Sequence, residues 1–163
     1  MTAVTLEASA DRLRWESAYR GAYPRAYRGL VAMGARPDEA EDALHDAFLK
    51  GLERKAAETI LSVDGWIFVV ATRAWRRRRI RERVLLPWTM FVGVSSVPDE
   101  AATDAIVALR SLPLRQRQVM VARFVIGLSQ AETAELLGVA RGTVGATTSQ
   151  AAAAMRRRME GEP

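Results

Sequence analysis

Residues 128–155 read LSQAETAELLGVARGTVGATTSQAAAAM, and this stretch decides the fold. Ser129 and Glu132 stand at the spacing of a capping box, in which hydroxyl and carboxylate satisfy each other's orphan backbone donors, so a helix is predicted to start at Ser129. Ala131, Ala134 and Leu137 supply a small apolar face for a neighbouring helix. Gly138 can leave that helix through a left-handed conformation without steric cost. A second helix is predicted to begin within about three residues, with Val139 and Val144 bracketing its first turn. Two short helices joined by a glycine turn form a helix-turn-helix, whose second helix is the one presented to the major groove.

The residues before this motif extend the pattern. Gly127-Leu128-Ser129, the run Ala131 to Gly138, and Gly142-Thr143-Val144 resemble the fourth region of a bacterial sigma factor of the extracytoplasmic-function group. Leu112-Pro113-Leu114-Arg115-Gln116-Arg117-Gln118-Val119 resembles the segment that opens that region. In one respect the chain departs from the family. After Val144 the family carries several Lys or Arg residues, whereas this chain continues Gly145-Ala146-Thr147-Thr148-Ser149-Gln150 and then four alanines. Phosphate contacts come mainly from basic groups and base contacts from Arg, Lys, Asn or Gln. This helix therefore offers Arg141, Thr143, Thr147, Ser149 and Gln150, and weak DNA contact is expected here.

Length and charge bound the remainder. The 163 residues suffice for one ordinary domain or two small helical ones with thin cores. Cysteine is absent, which removes disulfide scaffolds and thiolate metal sites and suits a reducing cytoplasm. No apolar run approaches the length of a membrane span, and the N-terminus lacks the pattern of a signal peptide, so a soluble protein is expected. A net charge of +5 favours an anionic partner, although basicity alone fits nucleic acid, acidic protein or lipid.

From Ala8 to Met33 the period is helical, with Trp15, Tyr19, Tyr23 and Tyr27 forming an aromatic stripe read as core, and residues up to about Glu7 read as frayed. Pro24 predicts a break into two collinear helices. A next helix is expected from Asp38 to Arg54 after Pro37, with Ala40, Ala43, Leu44, Ala47, Phe48 and Leu52 on its apolar line. Asp38, Glu39, Glu41, Asp42 and Asp46 crowd its beginning. Carboxylates at a helix N-terminus oppose the macrodipole, but that does not require five within nine positions. Ala40-Glu41-Asp42 followed by Asp46-Ala47-Phe48 resembles the second region of the same sigma group. The resemblance implies that Asp38, Glu39, Glu41, Asp42, Asp46 and Phe48 dock on the clamp helices of the largest polymerase subunit. His45 stands where the family usually has Gln, and without His or Cys company it reads as a surface or packing residue.

Lys55 to Leu61 reads as a loop or weak helix, and Ser62 or Asp64 can cap a helix from Gly65 to Arg83 whose apolar side is Trp66, Ile67, Val70, Ala71 and Ala74. Arg73, Arg76, Arg77, Arg78, Arg79, Arg81 and Arg83 load its second half, opposed within the run by Glu82 alone. So many guanidinium groups repel one another and call for a polyanion or an acidic surface. Trp66 with Ala71 resembles the family's helix that reads the minus 10 promoter element, and Arg73 stands where Asn is common. Trp75 has two readings beside these arginines, a platform for an unpaired base and a core residue.

Pro87, Gly93, Ser95, Ser96 and Pro98 mark 84–98 as a linker, unusually apolar because of Leu85, Leu86, Trp88, Met90, Phe91 and Val92. Exposing such a segment would cost about 25 cal/mol per Å² of apolar surface, so it is expected to pack on a domain or bind another protein. Beyond it, Ala102, Ala105, Ile106 and Leu109 predict a short helix, and Val119, Val121, Ala122, Val125 and Ile126 carry the next one to Gly127. The expected architecture is all-α, with a helical domain at 8–83, the linker, and a helix-turn-helix domain at 99–160.

No catalytic constellation, phosphate-binding glycine loop or metal-spaced ligand set is evident, and neither a cofactor nor a small-molecule substrate is expected. The resemblance implies a cytoplasmic sigma initiation factor that is not an enzyme. Its implied partners are core RNA polymerase, promoter DNA and an anti-sigma protein. Two other readings stand beside it: a degenerate sigma-like regulator acting through protein partners, and a helical scaffold with a nonspecific basic face.

Overall fold

The computed structural model describes residues 3–53, 60, 62–85 and 104–160, with side chains from residue 10 to 82 and from 104 onward within those ranges. Seven helices occupy the described residues: α1 (Ala3–Met33), α2 (Pro37–Glu53), α3 (Val63–Leu85), α4 (Asp104–Ser111), α5 (Leu114–Phe124), α6 (Gln130–Leu137) and α7 (Arg141–Met159). Most of the expected linker, from residue 86, and most of the expected loop at 55–61 lie outside the described residues.

The first helix departs from expectation at both points where local rules were applied. It starts at Ala3 rather than Ala8, and it runs through Pro24 without a break. Proline removes one intrahelical hydrogen bond and crowds the preceding turn. Here Pro24 and Arg20 are both exposed, so the affected turn faces solvent. On the opposite side Ala22, Ala26 and Leu30 are buried, and Trp15, Tyr19, Tyr23 and Tyr27 pack against the same core. Burial on both sides of the proline holds the two halves in line.

Trp15 is fixed with particular care. Its Nε1 donates to the Phe48 carbonyl at 3.1 Å, and its ring meets Trp66 edge-on at 5.6 Å. The backbone of α2 reaches this ring only because residue 51 is glycine: a Cβ there would lie 1.9 Å from Trp15. In α3 the Ser62 hydroxyl accepts from the Gly65 N–H at 3.2 Å, making Ser62 the cap, and Ile67, Phe68, Ala71, Thr72, Ala74 and Trp75 are buried.

The last three helices surround a small core of their own, Val119, Ala134 and Val144 with Leu137 and Val139 against them. Ser129 and Glu132 form the reciprocal capping box, with bonds of 2.7 and 3.1 Å, and Gly138 is left-handed at φ 66°. One detail of this helix differs from its expected face. Ala131 is exposed, whereas Thr133 is fully buried beside Ala134.

The two halves are joined by packing and by hydrogen bonds. A single buried cluster includes Leu30, Met33 and Phe68 from α1 and α3 together with Leu109 and Val121 from α4 and α5 and Ile126 and Leu128 from the segment after α5. Arg110 donates at 2.9 Å to the Val31 carbonyl, which also accepts from the Gly34 N–H, and Arg117 donates at 2.7 Å to the Met33 carbonyl, an acceptor that the end of α1 leaves open. Arg117 also donates to the carbonyls of Arg110 and Leu112. Its pKa is lowered, first by burial and then by the neighbouring charges of Arg110 and Arg79.

Candidate nucleic-acid interface

At about 3.6 residues per turn, the arginines of α3 divide among three faces. Arg78 turns toward α2, where it donates to Asp42 at 2.7 Å and to Asp46 at 2.9 Å. Arg76 and Arg79 turn toward α5, and Arg79 lies over the Trp75 ring at 5.4 Å. Arg73, Arg77 and Arg81 share the outward face; all three are exposed and none has a carboxylate partner among the described residues. Part of the charge of this helix is therefore neutralised within the chain. Three arginines remain together on one open surface.

Trp75 is buried, with 4 % of its surface exposed, and its Nε1 donates to Glu39 at 3.2 Å. In this packing the ring offers no open face for a base to stack on. Helical spacing carried the signal, because Ile67, Ala71 and Trp75 lie on one line at four-residue intervals.

The acidic residues of α2 are less free than their number suggests. Asp38 receives both Nε and Nη2 of Arg36, at 3.1 and 2.8 Å, and this hydrogen bonding holds its carboxyl below the usual range. Arg36 is raised by the same bond and then by Glu39. Glu39 accepts from the Arg36 backbone N–H at 2.8 Å as well as from Trp75. With Asp42 and Asp46 held by Arg78, Glu41 is the member of this set for which the described residues give neither an ion pair nor a hydrogen bond. Beside it a cleft of about 370 Å³ is lined by Tyr19, Tyr23, Glu41, Asp42, His45 and Phe48. Burial, and then the neighbouring Tyr23, pushes the Tyr19 hydroxyl up to about 12, so it remains a neutral donor. Tyr23 is raised by burial and by Glu41. The α2 face thus combines aromatic edges with carboxylates already oriented by arginine.

The second helix of the helix-turn-helix is α7. Its N-cap, Ala140, makes no side-chain bond to the exposed N–H groups of the first turn. Arg141, Thr143 and Gln150 are exposed and Thr147 is half-buried, whereas the Thr148 hydroxyl donates back to the Val144 carbonyl at 2.7 Å. From Leu128 to Ala154 the charged residues are Glu132, Glu135 and Arg141 alone. Arg156, Arg157 and Arg158 are exposed at the far end of the helix. Among the described residues no cluster of three or more His, Cys, Asp or Glu could hold a metal, and no helix is long and apolar enough to cross a membrane.

Comparison with known proteins converges on one family. The sigma-70 region 4 family matches residues 104–155, which span α4 to α7 apart from its end. The ECF RNA polymerase sigma factor SigF of Caulobacter vibrioides is 30% identical over 153 residues, covering 82% of this chain and 86% of the relative. SigM of Mycobacterium tuberculosis, also an ECF RNA polymerase sigma factor, is 29% identical over 154 residues, covering 91% and 79%. In fold the chain is similar to the sigma factor RpoE in complex with the anti-sigma factor NepR from Bartonella quintana, with a TM-score of 0.70 and 18% identity over 90% of this chain and 97% of that one. CnrH in complex with the cytosolic domain of CnrY is similar with a TM-score of 0.58 and 18% identity over 94% and 99%.

Proposed function

This chain belongs to the extracytoplasmic-function family of RNA polymerase sigma factors, and we propose how its surfaces divide that work. A sigma factor brings core RNA polymerase to a promoter and helps to open it, while the polymerase performs the chemistry. In our reading the chain is a binding protein and not itself an enzyme, and it acts in the cytoplasm, where polymerase and promoter are.

Core polymerase meets the α2 face, through Glu41, Phe48 and the outward edges of Asp38, Asp42 and Asp46, with Glu39 holding Trp75 behind them. Promoter DNA meets Arg73, Arg77 and Arg81 of α3. The observation that carries this assignment is the division of the arginine run: Arg78 is spent on Asp42 and Asp46, while the outward three face solvent without a counter-charge among the described residues. Phosphate is the ligand that such a row fits, and each contact releases condensed counterions.

The later module, 99–160, contributes less to promoter selectivity than its helix-turn-helix suggests. What supports this is the recognition helix itself, with an uncapped start and Arg141 as its sole cation before Met155. Selectivity then comes chiefly from the module at 8–83 or from a partner protein, the residues at 84–98 connecting the two. Both structural relatives are bound to another protein, in one case a named anti-sigma factor. We read this chain as open to the same kind of control.

Adding the full chain to purified core polymerase tests the assignment. Comigration together with transcription from a defined promoter supports it. Comigration without transcription favours a regulator that acts through proteins, and absence of both defeats the reading of α2 as a docking face.

A further inference from the structure

A cavity of about 520 Å³ lies where α3 faces α5, and its walls are Trp75, Arg76, Arg79, Ile80, Leu114 and Arg117. Three of the six are arginines, drawn from two segments well separated in sequence. Among the described residues no carboxylate lines the cavity, and neither Arg76 nor Arg79 has an ion-pair partner. We propose that this cavity binds a small polyphosphate of the class of nucleoside di- and triphosphates.

The positions of the cations are largely set in advance. Arg117 is held by the carbonyls of Met33, Arg110 and Leu112, and Arg79 is stacked on Trp75. Arg117 already donates to three carbonyls and so contributes a fixed charge, while the planar forks that match phosphate oxygens are those of Arg76 and Arg79. Their mutual repulsion acts in the same direction. The charges of Arg79 and Arg110 both bear on Arg117, so an anion placed among them offsets that repulsion.

Size and lining narrow the ligand further. Ligand cavities generally span about 300–1,000 Å³, a range that admits a nucleotide and excludes a DNA duplex. Ile80 is 58 % exposed although it is a large aliphatic residue, and it stands with Leu114 beside the arginines. Together they offer an apolar surface to a flat ring while the phosphates meet the guanidinium groups. Because α3 belongs to the earlier half of the chain and α5 to the later one, a ligand here also ties the two halves together. Binding to the packed form alone would stabilise that form by mass action. The site depends on this packing and not on how the chain meets polymerase or promoter, so it can fail without touching the assignment above.

The test is calorimetric titration of the full chain with sodium tripolyphosphate and with ATP in the absence of magnesium, against chloride at matched ionic strength. We expect saturable binding at one site, a raised melting temperature, and tighter binding of ATP than of tripolyphosphate. Arg76→Gln and Arg79→Gln should each weaken binding about tenfold, as loss of a charge-assisted hydrogen bond implies. Leu114→Glu, which places a carboxylate in the cavity while leaving both arginines intact, should abolish it. The triple change Arg156→Gln, Arg157→Gln and Arg158→Gln should leave it unchanged. Binding that does not saturate, or that falls equally with the triple change, overturns the site in favour of diffuse screening. Dependence of a short single-stranded oligonucleotide, but not of tripolyphosphate, on Arg76 and Arg79 would assign the cavity to the DNA track and overturn it too.

Discussion

Arg77 and Arg78 are adjacent in sequence and opposite in circumstance, which makes their separate replacement by alanine a sharp test of the α3 surface. Arg78 donates to Asp42 and Asp46, whereas Arg77 is exposed and unpaired among the described residues. Each phosphate contact contributes about 0.9 to the slope of log affinity against log salt on duplex DNA and about 0.7 on a single strand. Between about 50 and 200 mM salt, loss of one duplex contact therefore removes about a 3.5-fold change in affinity. Arg77→Ala should flatten the dependence by that amount and leave the melting temperature in place. Arg78→Ala should do the reverse. With Arg78 41% and Asp46 33% exposed, water and salt screen the pairs, and their joint loss should cost about 1 kcal/mol or less. For a chain of this length that is a fall of about 2–4 °C. The assay is fluorescence anisotropy of labelled promoter DNA with the sigma–polymerase complex at several salt concentrations, paired with thermal melting of the free chain. If Arg78→Ala flattens the slope as much as Arg77→Ala, the carboxylates release Arg78 to DNA and the division of the run is refuted. If neither changes it, α3 is not the DNA surface.

Gly51→Ala should lower stability by about 1–3 kcal/mol through overpacking against Trp15, exceeding the gain of about 1 kcal/mol that alanine brings to a helix. Gly21→Ala, whose Cβ meets nothing within 4 Å, should raise the melting temperature instead. Ser129→Ala should cost about 1 kcal/mol at neutral pH, measured by urea denaturation, because it removes the cap of α6. Glu132 is held below the ordinary glutamate range by its bonds with Ser129, so its contribution is complete above that range and disappears as pH falls through the lowered value. Melting curves taken down to about pH 3 should accordingly fall less steeply for Ser129→Ala than for the parent chain. Gly145→Lys fits its surroundings, since a Cβ there meets only Gln130, at 3.8 Å. It should strengthen promoter binding and steepen its salt dependence by about 0.9, and an unchanged slope would mean that α7 does not approach phosphate.

What was legible in the sequence was local. Ser129, Glu132 and Gly138 fix α6 through interactions spanning only a few residues, and both ends of that helix stand where the capping rules put them. Pro24 misled for the same reason. Its local penalty is outweighed by the burial of Ala22, Ala26 and Leu30 and by the aromatic stripe, and the strength of that burial depends on partners distant in sequence. Ala131 and Thr133 show a smaller version of this. The helical period identifies which residues share a face, but the direction from which α5 and α7 approach decides which face is covered. The arginine run was visible as charge, and its need for a neutralising surface could be stated. That part of this surface is the acidic start of α2 required the long-range pairing of Arg78 with Asp42 and Asp46.

The contact between the two halves has the character of a core and not of a surface touch. A Cβ at Gly65 would lie 2.5 Å from the Leu136 side chain, and one at Gly29 would lie 3.0 Å from the Ile126 side chain, so side chains of the later half rest directly on glycine backbone of the earlier one. Ile126 and Leu128 are each only 4 % exposed, and Arg110 and Arg117 supply hydrogen bonds to the end of α1. Separating the halves would return this apolar area to water at about 25 cal/mol per Å² and leave the Met33 carbonyl to be satisfied by solvent. A partner that binds both forms equally, however tightly, cannot shift the equilibrium between them. Any partner that engages the two modules at separated sites must therefore bind the open arrangement more strongly than the packed one by at least the cost of parting them.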